Sequence, residues 1–286
     1  MEISTIFGHS AAGNATEKYN PLIMGILNLT PDSFYDGGHY LTQGAPMKRA
    51  EAILEAGGTI IDLGAVSTRP GAKEVDEATE WHRIAEPLQQ IRRNFPAVLL
   101  SVDTWRASIA KKALDNGADI INDISGGMLD PEMIPFIATT HAAYVLMHMK
   151  GTPATMQNKI HYDDVTREVS DFLQQQATRL SESGFTQIIL DPGFGFGKTT
   201  EHNYQLLQDL HRIKKTGYPV LVGISRKSMI NKVLKSTPEK ALTGTIVLNT
   251  IALLLGADIL RVHDVREAAE SIKIIKMLPG MPFRNI

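Results

Sequence analysis

Short runs of β-branched and aliphatic residues alternate along the chain with longer stretches in which apolar positions recur at helical spacing. The runs fall at Leu22–Leu29, Thr59–Leu63, Val98–Val102, Ile120–Asn122, Tyr144–His148, Ile188–Leu190, Val220–Gly223 and Ile259–Val262, and each predicts a strand. Pro46–Ala56, Ala78–Asn94, Ala107–Asn116, Val165–Ser181, His202–Lys214, Lys240–Leu255 and Val265–Met277 predict helices. Gly57, Gly117 and Gly256 stand where a helix must stop in a left-handed residue and turn back toward a strand. Eight alternations suggest an α/β fold of the TIM (β/α)8 barrel type. An open doubly wound sheet alternates in the same way, so the pattern of apolar residues does not separate the two.

The polar residues bear on that choice. A strand buried in a parallel sheet reads as continuously apolar, yet nearly every run here ends in polar groups. They are Asn28 with Asp32 and Asp36, Ser67-Thr68-Arg69, Asp103-Thr104, Asn122-Asp123, His148, Asp191, Ser225-Arg226-Lys227-Ser228, and Arg261 with His263-Asp264. Taken singly, Asp103, Asp123 and Asp264 read as helix N-caps, and Thr68 and Ser225 as loop residues bonding their own backbone. A closed barrel brings all of these ends to one face, where together they read as a pocket. The expected organisation is a short N-terminal extension, residues 1–20, followed by one barrel over residues 21–286.

Composition narrows the function classes. With 29 Lys+Arg against 31 Asp+Glu the formal charge is −2, which removes the electrostatic footprint of nucleic-acid binding. The most apolar stretch, Ile246 to Leu255, is interrupted by Asn249 and Thr250 and falls short of the roughly 18 residues of a membrane span. Met1 to Tyr19 lacks the charge and apolar segment of an export signal. The chain has no cysteine, which excludes disulfides, thiolate nucleophiles and cysteine-bound metals, and a cytoplasmic location is expected.

The glycine-rich segment Asp191-Pro-Gly-Phe-Gly-Phe-Gly-Lys198 fits neither nucleotide fingerprint. Only three residues separate Gly193 from Gly197, and Lys198 stands where a dinucleotide motif needs Gly or Ala. It reads as a tight loop in which Phe196 walls a flat aromatic ligand. There is no Gly-x-Ser-x-Gly elbow and no His-Glu-x-x-His zinc helix. His82, His202 and His211 read as surface residues of helices, and Met147 and Met149 as packing.

These loops together resemble the dihydropteroate synthase family. The resemblance rests on Gly25-Ile-Leu-Asn28-Leu-Thr-Pro-Asp32-Ser-Phe34, Ser67-Thr68-Arg69-Pro70-Gly71-Ala72, Ser101-Val-Asp103-Thr104, Ile121-Asn122-Asp123 and Met147-His148. It continues through Asp191–Lys198, Ser225–Ser228 and Arg261-Val-His263-Asp264, in family order from about residue 22 to the C-terminus. Ala65-Val66 departs from the Gly-Glu usual in the family, and Leu29 and Tyr35 are milder departures. Methyltetrahydrofolate-binding barrels share an Asp/Asn/Asp pterin grip but need no diphosphate site, and a non-catalytic pterin-binding paralogue is the other alternative.

The resemblance implies the eight-stranded barrel and the joining of a dihydropterin diphosphate to p-aminobenzoate. It implies pterin contacts from Asp103, Asn122, Ile124, Met147, Asp191, Phe196, Gly223 and Lys227. Asn28, Arg261 and His263 would take the diphosphate, with Asn28 as the protein ligand of Mg²⁺. Phe34, Thr68, Arg69, Pro70 and Ser228 would take p-aminobenzoate, and Asp36 would serve loop closure. Lys227, Arg261, His263 and Asp103 would carry the catalysis, and a homodimer is the expected assembly.

Overall fold

The computed structural model describes residues 20–30, 44–67, 75–156 and 160–278. Eight parallel strands form a sheet in the order β6-β5-β4-β3-β2-β1-β8-β7. They are β1 (Leu22–Asn28), β2 (Ile60–Gly64), β3 (Leu99–Asp103), β4 (Ile120–Asp123), β5 (Ala143–Met147), β6 (Ile188–Asp191), β7 (Leu221–Val222) and β8 (Ile259–Val262). The two ends of that order meet through a parallel bridge between Leu190 and Val220, backed by a 2.8 Å bond from the Leu190 N–H to the Pro219 carbonyl. The sheet therefore closes, and the barrel, not the open sheet, is the fold.

Around it lie α1 (Ala45–Glu55), α2 (Glu77–Asn94), α3 (Ala107–Asp115), α4 (Met133–Ile137), α5 (Val165–Glu182), α6 (Thr200–Gln208), α7 (Leu210–Lys214), α8 (Ser228–Leu234), α9 (Leu242–Leu254) and α10 (Val265–Ile275). The expected helix over His202–Lys214 is two helices. Asp209 stands at the break, where its carboxylate accepts bonds from Thr166 on α5 at 2.9 Å and from Gln205 at 2.8 Å. Aspartate is a poor residue for a helix interior because it bonds locally in this way. The helix expected from Lys240 begins at Leu242 instead, after a 3-10 turn over Pro238–Lys240. The short helices α4 and α8 had no counterpart in the apolar pattern.

The pleat sorts each strand into two faces. Outward residues such as Ile61, Leu63, Leu100, Val102, Tyr144, Leu190, Leu260 and Val262 pack in the layer between strands and helices. Inward residues near the strand starts, among them Met24, Ile60, Ile120, Val145, Ile189, Leu221 and Ile259, form a separate apolar plug within the barrel. Two residues further along, the inward positions turn polar: Asp62 after Ile60, Asn122 after Ile120, Asp191 after Ile189 and Arg261 after Ile259. Period-2 geometry puts this second layer directly above the plug, as the floor of a pocket that opens at the C-terminal mouth.

At the opposite end, one device appears twice. Gly117-Ala118-Asp119 precedes β4 and Gly256-Ala257-Asp258 precedes β8. Both glycines are left-handed, at φ 94° and 96°. Asp119 accepts the Leu100 N–H at 2.9 Å and the Arg92 guanidinium at 2.5 Å. Asp258 accepts the Val220 N–H at 2.6 Å and the Lys214 ammonium at 2.6 Å. Each aspartate thus clips its own strand to the preceding one and to a helix outside.

Candidate active site

Three strands supply donors to one buried carboxylate. Asp62 on β2 accepts the Ser101 hydroxyl from β3 at 2.6 Å, the Asn122 amide from β4 at 3.3 Å and the Arg261 Nε from β8 at 2.7 Å. Arg261 also gives an Nη2 proton to Asp103 at 2.8 Å. Burial alone would lower the Arg261 guanidinium, but the carboxylates of Asp62 and Asp103 outweigh it and hold the cation above its ordinary value. Burial pushes the Asp103 carboxyl up to about 7, with Arg261 opposing the rise and Asp62 adding to it.

The second half of the floor belongs to β6 and β7. Asp191 is buried, and its Oδ1 accepts the Gly193 N–H at 2.7 Å. Burial raises its carboxyl, and the Lys227 ammonium pulls it back. Lys227 comes in from the turn after β7, where Arg226 takes the left-handed φ of 58°. That conformation, costing about 1–3 kcal/mol, is held by a two-pronged bond from the Arg226 guanidinium to Asp264, at 2.8 and 2.6 Å. The Lys227 Nζ donates to the Phe194 carbonyl at 2.5 Å and stands 4.8 Å from the centre of the Phe196 ring. Burial lowers this ammonium to about 8, against the opposing charge of Asp191. A side chain at Gly223 would come within 3.9 Å of the Lys227 Nζ and 3.8 Å of the Arg261 Cβ, so its absence leaves the floor bare between the two cations.

Asn28 and His263 stand at the rim. Asn28 ends β1 beside Gly64, where a Cβ would lie 3.8 Å from the Asn28 Oδ1 and equally far from an Asp103 oxygen. The His263 Nδ1 lies 3.1 Å from the Ser225 hydroxyl, and its backbone carbonyl accepts the Arg49 guanidinium at 2.8 Å. Burial, then the Arg261 charge, lowers the imidazole to about 3, so it is neutral at pH 7. Ile124 and Met147 are buried at the ends of β4 and β5. Ser228 is the first residue of α8 and is exposed.

The expected residues Asn28, Asp103, Asn122, Asp191, Phe196, Gly223, Lys227, Arg261 and His263 therefore converge although they span the chain from β1 to β8. Phe34, Asp36, Thr68, Arg69 and Pro70 lie outside the described residues, as does Asp32. The N-cap readings of the three aspartates are corrected. Asp103 is taken by Arg261, and Asp264 occupies the cap position of α10 but spends its carboxylate on Arg226. Asp123 accepts the N–H groups of Ser125 and Gly127 and the Tyr144 hydroxyl, bracing the turn that carries Ile124.

Two contributors escape a reading based on strand ends, and a third, Lys198, follows the sixth strand but carried no expected role. Asp62 and Ser101 lie one pleat below the rim, inside apolar runs; a charged residue at an inward strand position was the available signal. Lys198 is buried beneath the glycine-rich loop. Among the described residues there is no cluster of three or more histidines and acids suited to a metal, and no helix is long and apolar enough to cross a membrane.

The floor thus sets three carboxylates against two cations in a buried, polar site suited to a ligand with several hydrogen-bonding groups. Comparison with known proteins agrees. The pterin binding enzyme family matches residues 24–263. The dihydropteroate synthase of Escherichia coli K12 is 41% identical over 268 residues, covering 93% of this chain and 94% of its own. The crystal structure of Yersinia pestis dihydropteroate synthase with a sulfonamide drug superimposes with a TM-score of 0.85 at 40% identity, covering 91% of this chain and 94% of that one. The Burkholderia cenocepacia dihydropteroate synthase complexed with 7,8-dihydropteroate gives a TM-score of 0.79 at 36% identity, covering 90% of each chain. With a family match that runs from β1 to the end of β8 and relatives aligned along almost their whole length, this chain belongs to the pterin-binding enzymes and, within them, to the dihydropteroate synthase family.

Proposed function

We propose that this protein condenses 6-hydroxymethyl-7,8-dihydropterin diphosphate with p-aminobenzoate to give 7,8-dihydropteroate and diphosphate, a step of folate biosynthesis. The observation that carries the reading is the buried floor in which Asp62, Asp103 and Asp191 face Arg261 and Lys227. The carboxylate of Asp191 accepts the paired N–H donors of the pterin edge, and a charge-assisted pair of this kind is about twice as strong as a neutral one. Asn122 and Asp103 read the remaining ring nitrogens, Lys227 donates to the carbonyl edge, and Gly223 admits the ring. Ile124, Met147 and Phe196 enclose it.

Departure of the diphosphate leaves positive charge on the pterin methylene and ring. Three fixed carboxylates against two cations stabilise that charge, and each 1.4 kcal/mol so gained is worth about tenfold in rate. Negative charge grows on the departing oxygens at the rim, where Arg261 and His263 receive it. The diphosphate opposes the effect that Arg261 has on His263 and draws a proton onto the imidazole. The aromatic amine is unprotonated at neutral pH and attacks without a general base. Its carboxylate meets Ser228, with Phe34, Thr68, Arg69 and Pro70 against its ring and Asp36 closing the first loop.

Asn28 presents one neutral oxygen in the space left by Gly64, beside an Asp103 oxygen, and the described residues there form no cluster of three acids or histidines. That oxygen fits a Mg²⁺ ion brought in on the diphosphate: Asn28 would be the protein's donor to a hard cation that is held by few side chains. When bound, the ion neutralises the leaving group. The exposed Val247 and Ile251 on α9 support a homodimer, and the absence of cysteine supports a cytoplasmic location.

Incubation with both substrates, with and without Mg²⁺, tests the reading. Dihydropteroate and free diphosphate in equal amounts are expected, with Asn28→Ala requiring more Mg²⁺ than the parent. Pterin binding without product would favour the non-catalytic paralogue.

A further inference from the structure

Lys198 closes the Gly-Phe-Gly-Phe-Gly run, yet it takes no part in the chemistry described above. Its side chain is 4% exposed and folds back beneath its own loop. The Nζ donates to the carbonyls of Gly193 at 2.8 Å and Phe196 at 3.1 Å, and lies 3.0 Å from the Nδ1 of His148. These three contacts use the three protons of an ammonium. A weaker fourth approach, at 3.4 Å, reaches the His148 carbonyl. Among the described residues no carboxylate bonds to this cation, and burial lowers it to about 7 with Asp191 only partly opposing. His148 is kept neutral by burial and by Lys198 itself, so its ring nitrogen accepts.

Burying an amine without a carboxylate partner is costly, so the contacts it makes need a reason, and the loop supplies one. Gly193, Gly195 and Gly197 are all left-handed, at φ 70°, 86° and 65°. A Cβ at Gly193 would fall 1.9 Å from the His148 carbonyl, so the loop is pressed onto the end of β5. Its upper side offers the Phe194 carbonyl and the Phe196 ring to Lys227. Without a donor below, the Gly193 carbonyl would keep only its 3.2 Å bond from the Phe196 N–H.

We propose that Lys198 is a positioning residue of the pterin half of the site: from beneath, it fixes the loop that orients Lys227 and presents Phe196, without touching substrate. The proposal rests on the reading of this pocket as a pterin site and deepens it. The probe is 6-hydroxymethylpterin, titrated by fluorescence into the full-length protein, together with steady-state kinetics for both substrates. Lys198→Met is expected to raise the Kd of the probe, and the KM of the pterin diphosphate, at least tenfold. The KM of p-aminobenzoate should stay within twofold, and Lys198→Gln, which keeps two donors, should recover part of the loss. Lys214→Met serves as control, since it removes the clip beneath β8 far from the pocket; it should lower Tm and leave the probe's Kd within twofold. If neither Lys198 variant folds, His148→Gln should still raise the probe's Kd by about threefold. An unchanged Kd in whichever of these variants folds, or equal rises in both KM values, would overturn the positioning role. Failure of the unsubstituted protein to bind the probe would instead remove the pterin reading, and the proposal with it.

Discussion

Asp62 joins donors from β3, β4 and β8, and replacing it by alanine leaves the Ser101 hydroxyl without that partner and Arg261 with one carboxylate in place of two. Breaking a buried pair by removing one member costs about 3–5 kcal/mol. Asp62→Ala should therefore lower the unfolding free energy measured by urea denaturation by an amount in that range, with a lower midpoint, and weaken pterin binding, while Asp62→Asn retains part of both. A midpoint within error of the parent would deny the carboxylate its organising part. His148 makes a second residue-scale case. Burial and then Lys198 hold it at about 2 instead of 6.5. The unfolded chain takes up the proton below pH 6.5 and the folded one does not. The stability linked to this group is thus full above 6.5 and falls as pH drops from 6.5 toward 2, by up to about 1.4 kcal/mol per pH unit. Denaturation at pH 7, 6 and 5 measures the slope. The imidazole resonance of His148 should stay that of a neutral ring from pH 8 to 5, and a midpoint near 6.5 would refute the burial argument. Most of the pocket was legible at this scale because it lies where polar residues follow apolar strands. Asp62 was not, since it sits inside an apolar run; Lys198 was placed in the loop after the sixth strand, but its burial beneath that loop depends on partners that the local pattern does not show.

At the scale of elements, the turn after β7 shows why spacing alone reads a site incompletely. Ser225-Arg226-Lys227-Ser228 carries two adjacent cations, but Arg226 faces Asp264 and the carbonyls of Pro238 and Glu239, and of the two only Lys227 joins the floor of the pocket. The left-handed Arg226 turns the chain so that these neighbours point apart. Asp264→Ala removes the fork that holds this strained turn and should cost about 1.5–3 kcal/mol, the worth of hydrogen bonds to a charged group. With Lys227 no longer aimed, kcat/KM for the pterin substrate should drop about tenfold. Calorimetric melting and steady-state kinetics check the two parts, and full activity would show that Lys227 is held without the fork. The strands and the longer helices were readable to within a residue or two because their periods differ, whereas α4 and α8, at five and seven residues, are too short to show one. The division at Asp209 was hidden because it depends on Thr166, a partner more than forty positions away.

For the whole molecule, alternation of strands and helices left the barrel and the open sheet unresolved, because the difference lies in two pairings between distant segments. One is the register of β1 with β8, from Leu22 opposite Ile259 to Gly25 opposite Val262. The other is the seam between β6 and β7, where β7 has two residues and a single bridge completes the circle. Asp258 braces this region by holding the Val220 N–H and Lys214 together. Asp258→Ala should therefore speed hydrogen exchange at Leu190 and Val222 before it does so in β2 and β3, and lower Tm. Exchange that accelerates evenly around the barrel would mean that the seam is no weaker than the rest. The paired Gly-Ala-Asp clips carry a wider consequence. They occupy the end of the molecule opposite the pocket and share no side chain with it, so part of the molecule's endurance rests on residues that turnover does not use. Hardening the clips offers a route to a tougher catalyst whose rate constants stay as they are, and selection acting on the mouth can explore new ligands while the base keeps the chain folded.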